Sequence, residues 1–425
     1  MIHRTILDNG LRILTESIPH IRSVAVGLWI GAGSRWEAEE AAGMSHFIEH
    51  LVFKGTENRS TRELAEAIDR IGGHMNAYTS KEYTCYSTKI LKPNLGEALD
   101  LLADMLLRPR FDPDEIEREK GVILEEFKMY EDAPDELVHD LFARCLWREH
   151  PLGRPVLGSP ERLQALGREQ VCRFHRTYYV PENAVLVGVG NITHEEFVDE
   201  ARRFLGAWPA AQRPPLIAQA PKVMPQRCVR VKDVEQVHLC LGTEGCRFGA
   251  ADVYVLLVLS TVLGGGSSSR LFQRVREEHG LAYSIYSFQT SFRDTGLFGV
   301  YAGTSPETAG RVLDLTLAEL ERLRREPVDA EELGRAKTQL KTNLVLSLES
   351  SYARMTRIGR SELLLGRPID PDEAIRRLDE VSAEDVLRLA QTQLDPERMA
   401  LAAVAPVRSP FGDIRLEEIS KDVVM

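Results

Sequence analysis

Cysteine is sparse and unpatterned in this 425-residue sequence. Its six cysteines (Cys85, Cys145, Cys172, Cys228, Cys240 and Cys246) show no C-x-x-C spacing. That excludes a disulfide framework and a cysteine zinc cluster, and it reads as reduced thiols in a cytosol-type compartment. Positive charge is in deficit, with 53 basic residues against 64 acidic ones and a net charge of −11. This balance argues against a nucleic-acid partner and favours neutral or basic substrates. No apolar run approaches the roughly 20 residues needed to cross a bilayer. The opening Met1-Ile2-His3-Arg4-Thr5-Ile6-Leu7 has neither an apolar signal core nor an Arg/Ser-rich transit pattern, and it leads into an Asp8-Asn9-Gly10 turn. The expectation is a cytoplasmic protein without a membrane span; the N-terminus gives no support for a mitochondrial location.

What is present is the composition of a soluble globular chain, 43% hydrophobic and 28% charged. Its length suits about two to four domains. The most informative stretch is Met44-Ser45-His46-Phe47-Ile48-Glu49-His50-Leu51-Val52-Phe53, which has helical spacing and no internal Gly or Pro. At about 100° per residue, His50 lies roughly 40° round the helix from His46, and Glu49 lies roughly 60° round on the other side. All three side chains therefore share one face. Two neutral imidazoles one turn apart suit a divalent metal, zinc above all. A carboxylate beside them that is not a ligand suits a general base that activates water. The flanking Phe47, Ile48, Leu51, Val52 and Phe53 are apolar nearly all round, unlike a solvated helix. Burying two imidazoles and a carboxylate there without partners would be costly.

Before this stretch, Ser23-Val24-Ala25-Val26-Gly27-Leu28-Trp29-Ile30 reads as a strand. After it, 61–68 reads as a helix capped by Ser60 or Thr61 and stopped at Gly72-Gly73. Residues 74–79 and 83–88 read as a hairpin, 93–107 as a helix, and a further helix starts near Asp112-Pro113. On that last helix Ile123, Phe127 and Tyr130 all lie within about 40° of Ile116. Glu119 and Glu126 fall at roughly 300° and 280°, at the edge of this stripe, whereas Glu125 at roughly 180° faces water. Two inward carboxylates need a cation. Glu126 is therefore taken as a metal ligand and Glu119 as the residue orienting the ligand set; a buried salt bridge to Arg or Lys is the bland alternative. His74, His139 and His150 read as structural or exposed.

A Pro-rich stretch at 208–225 reads as a linker, and the chain beyond it repeats the first half. His279-Gly280-Leu281-Ala282-Tyr283 parallels Gly72-Gly73-His74-Met75-Asn76, and Asp329-Ala330-Glu331-Glu332-Leu333 parallels Asp112-Pro113-Asp114-Glu115-Ile116. In the second copy Val253-Tyr254-Val255-Leu256-Leu257 stands where H-x-x-E-H lies, and Asn343 where Glu126 does. The expected division is a metal-binding catalytic domain at 1–207, the linker, and a metal-free homologous domain at 226–425. The Gly-rich 264–269 lacks a G-K-[ST] and comes after a helix-like run, so a phosphate loop is excluded. It reads as a loop facing extended substrate or as a helix N-terminus.

The H-x-x-E-H at 46–50, the glutamate 76 residues beyond His50 and the Leu124-Glu125-Glu126 context resemble the pitrilysin/insulinase/mitochondrial-processing-peptidase family of zinc metallopeptidases, the inverzincins. The length and the 264–269 segment are most similar to short bacterial members resembling the processing peptidase β subunit. The resemblance implies an α+β fold of two homologous domains, each an antiparallel sheet covered by helices. It implies Zn2+ held by His46, His50 and Glu126, with Glu49 as general base and Glu119 behind the ligands. It also implies that Arg276 and Tyr283, seven residues apart, hold the substrate backbone and polarise the scissile carbonyl, and that Asn76 and Ala77 pair with an extended peptide as an added strand. Similar chains pair into a closed chamber, so a homodimer, or a heterodimer with a homologous chain, is expected, with Arg276 and Tyr283 reaching the partner's zinc. The function implied is zinc-dependent endopeptidase action on extended or unfolded peptides. The alternative is a non-catalytic peptide-binding or chamber-forming subunit of a hetero-oligomeric peptidase.

Overall fold

A computed structural model of the chain describes residues 1–214, 220–412 and 414–419. Among the described residues, twelve strands run β1 (Ile2–Ile6), β2 (Arg12–Ser17), β3 (Ser23–Ile30), β4 (His74–Thr79), β5 (Thr84–Leu91), β6 (Ala184–Gly190), β7 (Arg227–Val231), β8 (Val237–Glu244), β9 (Ala282–Ser291), β10 (Gly296–Thr304), β11 (Ala400–Ala405) and β12 (Glu417–Glu418). Between β3 and β4 lie α1 (Met44–Leu51) and α2 (Thr61–Arg70); after β5 come α3 (Leu95–Leu107), α4 (Pro113–Glu131) and α5 (Pro134–Trp147).

The chain forms two compact units. The first comprises Met1–Phe127, Pro155–Ala218 and Leu346–Ile369. Its sheet has the order β1-β2-β6-β3-β5-β4. All neighbours are antiparallel except β2 and β6, which run parallel. Strands β3 and β6 are buried almost end to end, the mark of central strands covered on both faces. One face carries Leu14, Ala25, Trp29, Val185, Val187 and Val189, packed against Met355, Ile358 and Leu363 of the helix Ser351–Leu365. The alternate residues Val24, Val26 and Leu28, also fully buried, point the other way. Around the same sheet, α1 packs on β4 and β5, α3 on β5, and the helix His194–Leu205 on β2.

The second unit comprises Lys128–Arg154, Gln219–Val345 and Asp370–Met425. Its sheet runs β12-β7-β11-β8-β10-β9. Here β7 is parallel to both β11 and β12, and the remaining neighbours are antiparallel. Leu137, Leu141 and Phe142 of α5 cover Cys240, Tyr301, Ala402 and Val404. A separate core joins Leu239, Leu241 and Val300 to the helices Val253–Gly264 and Ala309–Arg325.

Setting β2-β6-β3-β5-β4 beside β7-β11-β8-β10-β9 shows the duplication directly: the order and directions of five strands repeat. The helix Val253–Gly264 comes after β8 as α1 comes after β3, and Ala330–Ser347 corresponds to α4. The contiguous division at 208–225 differs from the compact units by two exchanged segments. Residues 128–154 belong to the second unit and 346–369 to the first. The apolar pattern of a helix says that it must cover a sheet, not which sheet. Of the 208–225 stretch, Trp208 is buried and 215–219 lie outside the described residues.

Candidate metal centre

Helix α1 is buried on nearly every side. Gly43 turns the chain into it at φ 93°, where a Cβ would stand 2.5 Å from the Leu157 carbonyl oxygen. The buried Glu37 carboxylate accepts from the backbone N–H groups of Gly43 (2.7 Å) and Ser45 (2.6 Å), so a residue outside the helix caps its positive end.

One turn apart on α1, His46 and His50 bring their Nε2 atoms to 3.2 Å, with the rings edge-on. Helix α4 places Glu126 Oε2 at 3.7 Å from His46 Nε2 and 3.6 Å from His50 Nε2. These three residues are the only His/Cys/Asp/Glu group among the described residues with ligand atoms all within 4.8 Å of one another. Glu119, also on α4 and only 3% exposed, accepts from His50 Nδ1 at 2.8 Å and from Lys54 Nζ at 2.7 Å. The bond to Nδ1 leaves the Nε2 lone pair of His50 facing the cluster. Glu125 is exposed.

Burial first, and then the neighbouring His50, push the His46 imidazole down to about 3, so it stays neutral. For His50 burial acts in the same downward sense, but the Glu119 hydrogen bond and the charges of Glu126, Glu119 and Glu49 outweigh it and raise the group. Burial would raise Glu119, yet the hydrogen bonds from His50 and Lys54 hold it below its ordinary value. A cation at the cluster would favour the neutral imidazoles further.

The donor set fits zinc. Glu126 Oε2, facing both imidazoles, is buried without a hydrogen-bond partner, so what it faces is a gap between acceptors. Ligands about 2.0–2.1 Å from a common ion at a tetrahedral angle stand about 3.3–3.4 Å apart, near the observed spacings. Two imidazoles and one carboxylate also match catalytic zinc sites that keep a position open.

Glu49 lies beside the cluster on the same helix. Its Oε2 accepts from Thr79 Oγ1 at 2.5 Å. Burial pushes its carboxyl up, the Thr79 hydrogen bond and His50 oppose this, and Glu126 reinforces it. Asn76, exposed, and Ala77 lie on β4, the terminal strand of the first sheet. Arg276 and Tyr283 form a pair in the second unit. The Arg276 guanidinium stacks between the rings of Phe272 (4.7 Å) and Tyr283 (4.8 Å), and Tyr283 is 79% exposed. Arg276 lies on a π-helical turn, Phe272–Glu277, just beyond the Gly-rich 264–269. His74 is exposed, His139 contacts Tyr286, and His150 accepts from the Leu152 N–H.

Three neighbours of the cluster were not legible as site residues in the sequence: Glu37, Lys54 and Thr79. Lys54 had a signal, since it stands one further turn beyond His50, where it can neutralise a carboxylate. Thr79 is two residues beyond Ala77 and so on the same side of β4. Glu37 had none.

Two family descriptions match the chain: "Insulinase (Peptidase family M16)" over residues 12–160 and "Peptidase M16 inactive domain" over 165–340. The chain is 44% identical to a Bacillus subtilis (strain 168) protein named uncharacterized zinc protease YmxG, over 96% of this chain and 98% of that one. It is 41% identical to a zinc protease of Streptomyces coelicolor, likewise named uncharacterized, over 96% and 90% of the two chains. A crystal structure of a protease from Helicobacter pylori superposes with a TM-score of 0.88 at 24% identity, covering 95% of this chain and 99% of that one. One of a peptidase M16 inactive domain from Pseudomonas fluorescens gives 0.88 at 21%, covering 98% and 99%. The last two show the two-unit fold. The chain belongs to the M16 (insulinase) family of peptidases. The H-x-x-E-H helix, Glu119 and Glu126 fall within the matched span 12–160, and Arg276 and Tyr283 within the span called inactive.

Proposed function

We propose that this chain is a zinc-dependent endopeptidase cleaving extended or unfolded peptides. The carrying observation is the convergence of the His46, His50 and Glu126 acceptors beside a separately held carboxylate, Glu49. His46, His50 and Glu126 hold the zinc ion, with Glu119 and Lys54 fixing His50 from behind. Bound there, the ion supplies Lewis-acid polarisation of the scissile carbonyl. Glu49, held by Thr79 and raised by burial, takes the proton of the attacking water and returns it to the leaving amine. The outer edge of β4, at Asn76 and Ala77, receives a peptide lying as a further strand, the Ala77 N–H exchanging its bond to Asn76 Oδ1 for one to the peptide. Arg276, stacked under the exposed Tyr283, presents a donor pair for the peptide backbone. The M16 membership and the zinc-protease names of the relatives support this reading.

The chamber is a pair of such chains, and a solution mass of two chains is the expected result. The six free cysteines support a reducing, cytoplasmic location; among the described residues no helix is long and apolar enough to cross a membrane. The test is incubation of the purified chain with a quenched unstructured peptide. Cleavage that stops with a chelator and returns with zinc supports the enzyme. Peptide binding without cleavage would instead make the chain a chamber-forming subunit.

A further inference from the structure

Among the described residues, Thr79 donates to the Glu49 carboxylate: its Oγ1 stands 2.5 Å from Glu49 Oε2. Thr79 is held in turn. It is the last residue of β4 and pairs with Thr84, the first of β5, with the two hydroxyls 3.1 Å apart. The Thr84 hydroxyl donates to the Ala32 carbonyl at 2.9 Å. Further in, the Tyr86 and Tyr179 hydroxyls meet at 2.7 Å. Thr84, Tyr86 and Tyr179 are all buried. Of these hydroxyls, that of Thr79 is the one that touches Glu49.

A glutamate has several rotatable bonds, and a partly buried one with no donor swings toward water. A hydroxyl suits a group that gains and loses a proton during turnover. It donates to the carboxylate and, with its own proton rotated, accepts from the carboxylic acid. A valine in its place has the same shape and does neither.

We propose that Thr79 is a positioning residue for the general base: its hydroxyl, on a residue fixed by strand pairing with Thr84, holds the Glu49 carboxylate toward the His46–His50–Glu126 cluster. The role rests on the peptidase reading above. It is distinct from the backbone pairing assigned to Asn76 and Ala77, because it acts through a side chain on Glu49.

The test compares Thr79→Val and Thr79→Ser with wild type, reading kcat and KM on a quenched peptide, zinc content, and the crystal structure of each variant. Losing one hydrogen bond to a charged group lowers kcat about 10- to 100-fold in Thr79→Val. KM and zinc content stay at the wild-type values, because the hydroxyl touches neither the ligands nor β4's outer edge. Thr79→Ser restores kcat, and in the Thr79→Val crystal Glu49 is turned away from its wild-type position. Wild-type kcat in Thr79→Val, a Thr79→Ser as impaired as Thr79→Val, or an unmoved Glu49 overturns the proposal. The crystal comparison needs no turnover: a wild-type chain that cleaves nothing while Glu49 shifts in Thr79→Val would retire the peptidase reading, and with it the general base, and leave only the hold of Thr79 on the Glu49 side chain.

Discussion

Gly359→Ala is a substitution whose sign depends on where one helix sits. Gly359 is in the interior of the helix Ser351–Leu365. In an exposed helix, Gly→Ala stabilises by about 0.8–1.0 kcal/mol, because alanine loses less backbone freedom on folding. Here the added Cβ would stand 2.4–2.6 Å from three atoms of the Trp29 ring. That indole cannot move aside. It is fully buried in β3, and on its other side a Cβ at Gly27 would also be 2.6 Å from the ring. Forcing a methyl so close to a ring that cannot shift costs about 2–3 kcal/mol, the upper part of the range for overpacked cores. Set against the helix gain, the net result is a protein about 1–2 kcal/mol less stable. For a unit of roughly 150–250 residues this lowers the melting temperature by about 2–8 °C. Gly121, in α4 of the same unit, has nothing within 4 Å of the point where a Cβ would stand, so Gly121→Ala is the control and raises stability by about 1 kcal/mol. Thermal melts by circular dichroism on the two single variants decide the matter. If Gly359→Ala melts as high as or higher than wild type, the helix does not lie on Trp29, and the assignment of 346–369 to the first unit is refuted.

Other expectations concern the site and its surroundings. Glu49→Gln keeps the wild-type zinc content and loses about 10²–10⁴-fold in turnover; metal analysis beside a peptide assay checks it, and near-wild-type cleavage would reject Glu49 as base. Glu119→Gln weakens zinc binding about 10–100-fold, because it releases the His50 ring and its proton position. Competition with a chromophoric chelator measures this, and unchanged affinity would remove Glu119 from the site. Away from the cluster, burial pushes the His175 imidazole down to about 4 where it packs on Phe111 and meets the Leu106 carbonyl. The unfolded chain binds this proton more readily, so stability is fully present above about 6.5 and falls as the pH drops from there to about 4, by about 2–3 kcal/mol. Denaturant melts across that range show a shallower slope for His175→Gln; an identical slope would refute the assignment.

The residue types and their spacing carried much of the site. A period of 3.6 set His46, Glu49 and His50 on one face of α1, and the same period set Glu126 beside a buried stripe and Glu125 in water. Those are properties of single helices, so local geometry suffices. The duplication was legible for a similar reason, since each copy repeats the same local pattern in the same order. The surroundings were not. Glu37 reaches the start of α1 from just beyond a separate 3₁₀ turn, Lys54 meets Glu119 of α4 from the bend after α1, and Thr79 meets Glu49 from a strand.

The sequence by itself determined the helices and strands around the site, that part of their pattern recurs in the second half, and that only the first copy carries two imidazoles and a carboxylate at ligand spacing. The tertiary structure alone decided which sheet each helix covers and which distant side chains fix the functional ones. The physical reason is that periodicity reports only which face of an element is apolar. The partner for that face is chosen by shape, as when the ring of Trp29 admits a helix only where Gly359 leaves it room.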